Sequence, residues 1–167
     1  MRHLFVATLW SLLLSHPLTA SATGAPPVPD FNALENQFGA AWQAGQTPLQ
    51  LLFVDDMGGN KMLRRALEVS DHTCLSDGRL VYVADISGMP GLIARAIALP
   101  RMRKLDYPIW LDRNGDATAM LPRQEEGVIL QNTGGGDVER FSDGALLLAR
   151  LLELCGTAVA EEAGAEP

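Results

Sequence analysis

The stretch Leu49–Leu67, LQLLFVDDMGGNKMLRRAL, decides how the chain is read. Leu49–Val54 is apolar at five of six positions. Continuous apolarity of this kind marks a strand buried on both faces, as in the parallel centre of an α/β sheet. Asp55 and Asp56 interrupt the run, and Met57-Gly58-Gly59-Asn60 turns the chain. The spacing then predicts a helix over Lys61–Val69. Met62, Leu63, Ala66 and Leu67 share one face and Lys61, Arg64, Arg65 and Glu68 the other. Asp56 or Asn60 is its expected cap. Ligands gather beyond the carboxyl ends of strands in such sheets, so Asp55–Asn60 is the first place to seek a site. It holds no cysteine, histidine or serine.

Upstream, Gly24–Pro29 (GAPPVP) reads as an extended, proline-rich spacer. Asp30 then precedes Phe31, Leu34, Phe38 and Trp42 at helical spacing, predicting an amphipathic helix that ends at Gly45. The first segment is different in kind. Arg2 and His3 precede an apolar run, Leu4–Leu14, and Ala20-Ser21-Ala22 offers small residues for cleavage. This is the pattern of a secretory signal peptide over residues 1–22, cut after Ala22. The run is shorter than the roughly 20 apolar residues of a spanning helix, and no membrane span is expected after cleavage. The expected compartment is the periplasm or the exterior.

Downstream, Ser70–Arg79 reads as a loop carrying His72 and Cys74. Two potential ligands without a second pair are too few for a metal site. Leu80–Ile86 is a second apolar strand. A helix follows, with Ser87 as cap, Pro90 in the first turn and Leu92, Ile93, Ala96 and Ile97 as its buried stripe. Pro100 ends or kinks it. Arg95, Arg101, Arg103 and Lys104 then cluster, either complementing the helix dipole or forming an anion site. Tyr107–Leu111 is a third strand. Asp112-Arg113-Asn114-Gly115-Asp116 has alternating oxygen ligands, but its glycine is misplaced for a calcium loop, and turn chemistry accounts for it. Ala117–Leu121 is expected to be one helical turn. Gly127–Gln131 and Val138–Phe141 flank Asn132–Asp137 (NTGGGD) and predict a hairpin. Ser142 or Asp143 caps a last, strongly apolar helix, Gly144–Cys155. Residues 157–167 lack large apolar side chains and read as a disordered tail, which leaves 30–156 as one domain.

The chain carries a formal charge of −7, made one unit more negative when Arg2 leaves with the signal segment. Such an acidic chain has no electrostatic footprint for nucleic acid. The expected partner is a protein or a small ligand of the exported compartment. No cofactor motif is present, and no cofactor is expected. Cys74 and Cys155 are the only cysteines. In an exported protein an even count suggests a disulfide; two buried free thiols are the alternative.

The element order resembles the thioredoxin fold. More narrowly, it is similar to the peroxiredoxin and thiol-disulfide oxidoreductase branch, in which an extra helix and strand precede the final hairpin. YPIWLDRNGDATAMLP resembles that insertion, and the likeness covers roughly Leu49–Leu154. It implies a three-layer α/β/α domain with a central mixed sheet of about five strands. The branch carries Cys-Gly-Pro-Cys-Lys-Met after its first core strand. Here Met57-Gly58-Gly59-Asn60-Lys61-Met62 stands there, with both thiols replaced. The family's proline before the hairpin corresponds to Glu125-Glu126-Gly127. Thiol–disulfide exchange needs a thiolate at the helix N-terminus; a thioether and an amide provide none, so no catalytic residue is carried over.

What replaces the thiols is acidic. Asp55 and Asp56 end the first strand, Asp85 lies near the end of the second and Asp112 ends the third, so this topology can bring them to one rim. Three readings follow. The first is a redox-inactive, exported binding or accessory module that uses this rim. The second is a metal-dependent enzyme using Asp55, Asp56 and Asp112. The third is an atypical thiol peroxidase or oxidoreductase using Cys74.

Overall fold

A computed structural model describes residues 27–43 and 48–156. The signal segment, the expected helix end at Gly45 and the tail after Gly156 lie outside the described residues. Among the described residues six strands form one mixed sheet in the order β1-β4-β3-β2-β5-β6. They are β1 (Glu35–Asn36), β2 (Gln50–Val54), β3 (Leu80–Asp85), β4 (Ile109–Asp112), β5 (Val128–Asn132) and β6 (Val138–Phe141).

β2, β3 and β4 run parallel, with Leu52 opposite Tyr82 and Tyr82 opposite Ile109. β5 pairs antiparallel with β2, and β6 with β5, as the hairpin pattern predicts. The four-strand run β3-β2-β5-β6 is the thioredoxin-like arrangement. β4 lies on the other side of β3, with β1 beyond it at the sheet edge.

Alternation along the strands divides the core. Leu52, Val54, Tyr82, Ala84, Ile109, Leu111 and Leu130 face the helices. Those helices are α1 (Met57–Leu67), the one-turn α2 (Thr73–Ser76), α3 (Gly91–Ile93), α4 (Leu99–Met102) and α5 (Gly144–Cys155). Leu51, Phe53, Val81, Val83 and Ile129 face the other way. Among the described residues that second face is covered by the segment around Leu34 and by turns at Ala117–Leu121, not by a helix. The predicted spacer reaches this layer, since Gln131 Nε2 donates to the Pro27 carbonyl at 2.6 Å.

The predicted helix Phe31–Gly45 does not form. Asp30 caps a single 3-10 turn, Phe31–Ala33, and Leu34 is already extended. Asn36 supplies the reason: its Oδ1 accepts from the Phe38 and Ala40 amides at 3.0 and 2.9 Å. Such local side-chain bonds compete with helical ones. Gly39 completes the turn at φ +88°. The buried Gln37 then donates to the Tyr107 carbonyl and accepts from the Ile109 amide, both at 2.8 Å, tying the segment to β4. The aromatic spacing still has a use, for Phe31 stacks on Trp42 and Trp42 meets Trp110 edge-on, each at 4.6 Å.

Helix boundaries also shift. α1 starts at Met57, capped by Asp56 rather than Asn60. The expected loop Ser70–Arg79 contains α2, and Ala117–Leu121 makes turns without a helix. α3 and α4 join through a π-helical turn, Ala94–Ala98, which ends two residues before Pro100. Proline lacks an amide proton and crowds the carbonyl four residues back, and a wider turn accommodates both. The helix therefore continues through Pro100 to Met102. Its buried residues are Ala94, Leu99 and Met102; Leu92, Ile93 and Ile97, expected inside, are exposed.

α5 matches its predicted span, with Asp143 as cap. Leu147 and Leu151 are fully buried against α1 and the sheet. Cys74 and Cys155 form a disulfide joining α2 to the end of α5, with Cα atoms 5.4 Å apart and a sequence separation of 81. Closing a loop of that length is worth about 4–5 kcal/mol in the chain-entropy account. Cys155→Ser is thus expected to lower unfolding free energy by about 2–5 kcal/mol in urea titrations. An unchanged midpoint would show that the link constrains nothing.

Candidate functional site

The carboxyl ends of β2 and β3 meet the N-terminus of α1 and the loop Gln124–Gly127. Asp56 builds this junction. Its Oδ1 accepts from the Gly59 amide at 2.7 Å and caps α1; its Oδ2 accepts from the Glu126 amide at 2.6 Å. Glu126 adopts φ +50°, an uncommon conformation for a non-glycine residue. A Cβ on Gly59 would lie 2.0 Å from the Gly127 carbonyl oxygen, so helix and loop meet backbone to backbone. Met57 stands at the helix start with its side chain 84 % exposed, and Gly58, Gly59 and Asn60 follow in the first turn. No thiol is in the turn.

The four rim aspartates separate by role. Asp112 is fully buried. Its Oδ1 accepts from the Asn114 and Gly115 amides, and its Oδ2 from the Thr118 amide and hydroxyl. It organises a turn, as its Asp-x-x-Gly context predicts, and both oxygens are occupied. Asp55 and Asp85 lie across the mouth of β2 and β3 and share Arg123, whose Nη1 reaches Asp55 at 3.2 Å and Asp85 at 2.8 Å. The Thr118 hydroxyl lies 3.3 Å from Asp85 Oδ2 and 2.9 Å from Asp112 Oδ2. The structure therefore brings Asp55, Asp85 and Asp112 into one chain of contacts through Arg123 and Thr118, while Asp56 serves the helix.

Burial works against ionisation of Asp85, whose side chain is only 7 % exposed. The hydrogen bonds from Arg123 and from Ser87 outweigh it and hold the carboxyl below its ordinary range. For Arg123, burial favours losing the proton, but the two carboxylates more than compensate. This is a paired, charge-satisfied cluster. Among the described residues no group of three or more His, Cys, Asp or Glu is placed to hold a metal ion. His72 and Cys74 likewise diverge: His72 pairs with Asp106 at 3.0 Å and Cys74 is in the disulfide.

Arg123 was not legible as a site residue. It is a lone arginine between Pro122 and Gln124, and no spacing announces its partners. A cavity of about 730 Å³ was also hidden. It lies between α1 and the α3–α4 helix, with Asp55, Asp56 and Asp85 at its mouth. Ile93 and Ile97, expected to face the core, line it instead.

A carboxyl held below its ordinary value stabilises the fold above that value and loses its contribution as pH falls through the folded one. Asp85→Asn is accordingly expected to flatten the stability profile below about pH 4, seen as a smaller drop in urea midpoint between about pH 6 and pH 3. A slope equal to the parent's would separate Asp85 from the acid limb. Gly59→Ala is expected to cost about 1–3 kcal/mol through overpacking. Gly88→Ala, which meets open space, serves as the neutral control; equal effects would dismiss the backbone contact.

No family model and no curated protein matches the chain. Among solved structures, the chain is similar to one described as the solution structure of an uncharacterized thioredoxin-like protein from Porphyromonas gingivalis. The two share 16 % identity over 78 % of this chain and 90 % of that one, with a TM-score of 0.45.

Proposed function

We propose that this protein is an exported, redox-inactive thioredoxin-like binding module, periplasmic or secreted, descended in pattern from the peroxiredoxin and thiol-disulfide oxidoreductase branch. The observation that carries this reading is the placement of sulfur. The helix start holds Met57, a thioether that cannot ionise. The cysteines are joined to each other beyond the far end of α1, a helix that rises about 16 Å. Cys74 is buried and has no place at a helix N-terminus of useful length. Among the described residues no helix is long and apolar enough to cross a membrane.

The cavity beside the vacated redox position supplies the means of binding. Its volume falls within the roughly 300–1,000 Å³ of small-molecule sites. The metal-enzyme reading has less behind it, because Asp112 and Asp56 are saturated by backbone donors and Asp55 shares Arg123 with Asp85.

Two measurements test the proposal together. Thiol titration of the denatured, unreduced protein is expected to find no free thiol. Reduction of insulin by dithiothreitol is expected to run at its uncatalysed rate when the protein is added. Acceleration that disappears in Cys74→Ser would overturn the reading in favour of an oxidoreductase.

A further inference from the structure

The cavity has a chemical polarity along its length. α1 and the α3–α4 helix each connect neighbouring parallel strands, so both run away from the strand ends in the same direction. Beside Asp55, Asp56 and Asp85 at that mouth the walls are apolar, formed by Met57, Met89 and Ile93 and followed by Ile97. Arg64 lies about 10 Å further along α1, and Arg101 about 15 Å along the other helix. Both line the cavity, as do Lys61 and Arg65, with Glu68 the one carboxylate among them.

The chain bears −7 overall. Yet the four cations lining the cavity have no carboxylate within 4.0 Å among the described residues. Elsewhere Arg79, Arg113, Arg123 and Arg150 have acidic partners, while Arg95, Arg103, Lys104 and Arg140 have no carboxylate within 4.0 Å among the described residues, but none of those four lines the cavity. Unpaired cations beside exposed isoleucines are complementary to a ligand that carries both an apolar chain and a negative head. The size of the cavity suits a small molecule rather than a helix of a partner protein.

We propose that this cavity binds a single-chain amphipathic anion, an acyl carboxylate. The chain lies on Ile93 and Ile97, and the head is directed to Arg64 and Arg101. The assignment rests on the binding-module reading and names its ligand class. It also accounts for the helix pattern: Ile93 and Ile97 belong to a stripe that looks buried in sequence, and an acyl chain would cover them.

The test is calorimetric titration of the purified exported protein with dodecanoate below its micellar concentration, against dodecanol and dodecyltrimethylammonium. One-to-one binding of dodecanoate is expected, at least tenfold tighter than either control. Arg64→Glu combined with Arg101→Glu is expected to weaken it at least tenfold, and Ile97→Glu to do the same. All three positions are exposed, and an unchanged circular dichroism spectrum would confirm the fold. Equal affinity for the cationic amphiphile, or no binding of dodecanoate at millimolar concentration, would overturn the proposal. So would a dimer that Ile97→Glu dissociates, since a second copy would then occupy the face. Failure here with no insulin reduction removes the ligand class alone; catalysed insulin reduction removes the binding-module reading itself.

Discussion

The contact between Gly59 and the Gly127 carbonyl, clamped by Asp56, is the constraint on which the domain depends. It joins the first helix to the loop entering the antiparallel half of the sheet. β2 sits between β3 and β5, so this joint lies where the parallel and antiparallel halves meet. Only a residue without a side chain allows the approach. One carboxylate satisfies an orphan amide of the helix and an amide of the loop at once. The same joint fixes the conformation of the turn in which a redox site would stand.

The charged groups above that joint are directed inward to structure. Asp112 holds its turn, and Arg123 neutralises Asp55 and Asp85 while lying 5.1 Å over the Phe53 ring. Carboxylates bonded in this way have little remaining capacity for acid–base work or cation binding. The open chemistry lies beside them, where the π turn before Pro100 shapes the helix and leaves Ile93 and Ile97 facing a cavity.

The far end of the domain is held differently. The disulfide links α2 to α5, and the Gly156 carbonyl accepts from the Asp71 amide beside it. Burial raises the Tyr107 hydroxyl to about 12 and the Tyr82 hydroxyl further still, so both remain neutral in this core. His72 packs edge-on against Tyr107 with its Nε2 on Asp106. Sulfur at this end serves covalent closure, separated from the helix start by the full length of α1.

The sequence by itself determined the parallel strands, the hairpin, the last helix and the absence of a thiol after the first core strand. These depend on local composition: apolar runs make buried strands, glycines between β-favouring runs make hairpins, and an aspartate before an amphipathic run caps it. It also suggested the pairing of Cys74 with Cys155 by count alone. Only the tertiary structure decided the rest. Phe31–Trp42 has helical spacing, but Asn36 and Gln37 exchange helical bonds for local ones and for contacts with β4, partners some seventy residues away. Leu92, Ile93 and Ile97 form an apolar stripe, yet whether a stripe is covered depends on what lies across from it. Arg123 carries no pattern at all, because its role comes from two strands that meet in space. Periodicity reports the face a segment presents; tertiary packing decides what meets that face.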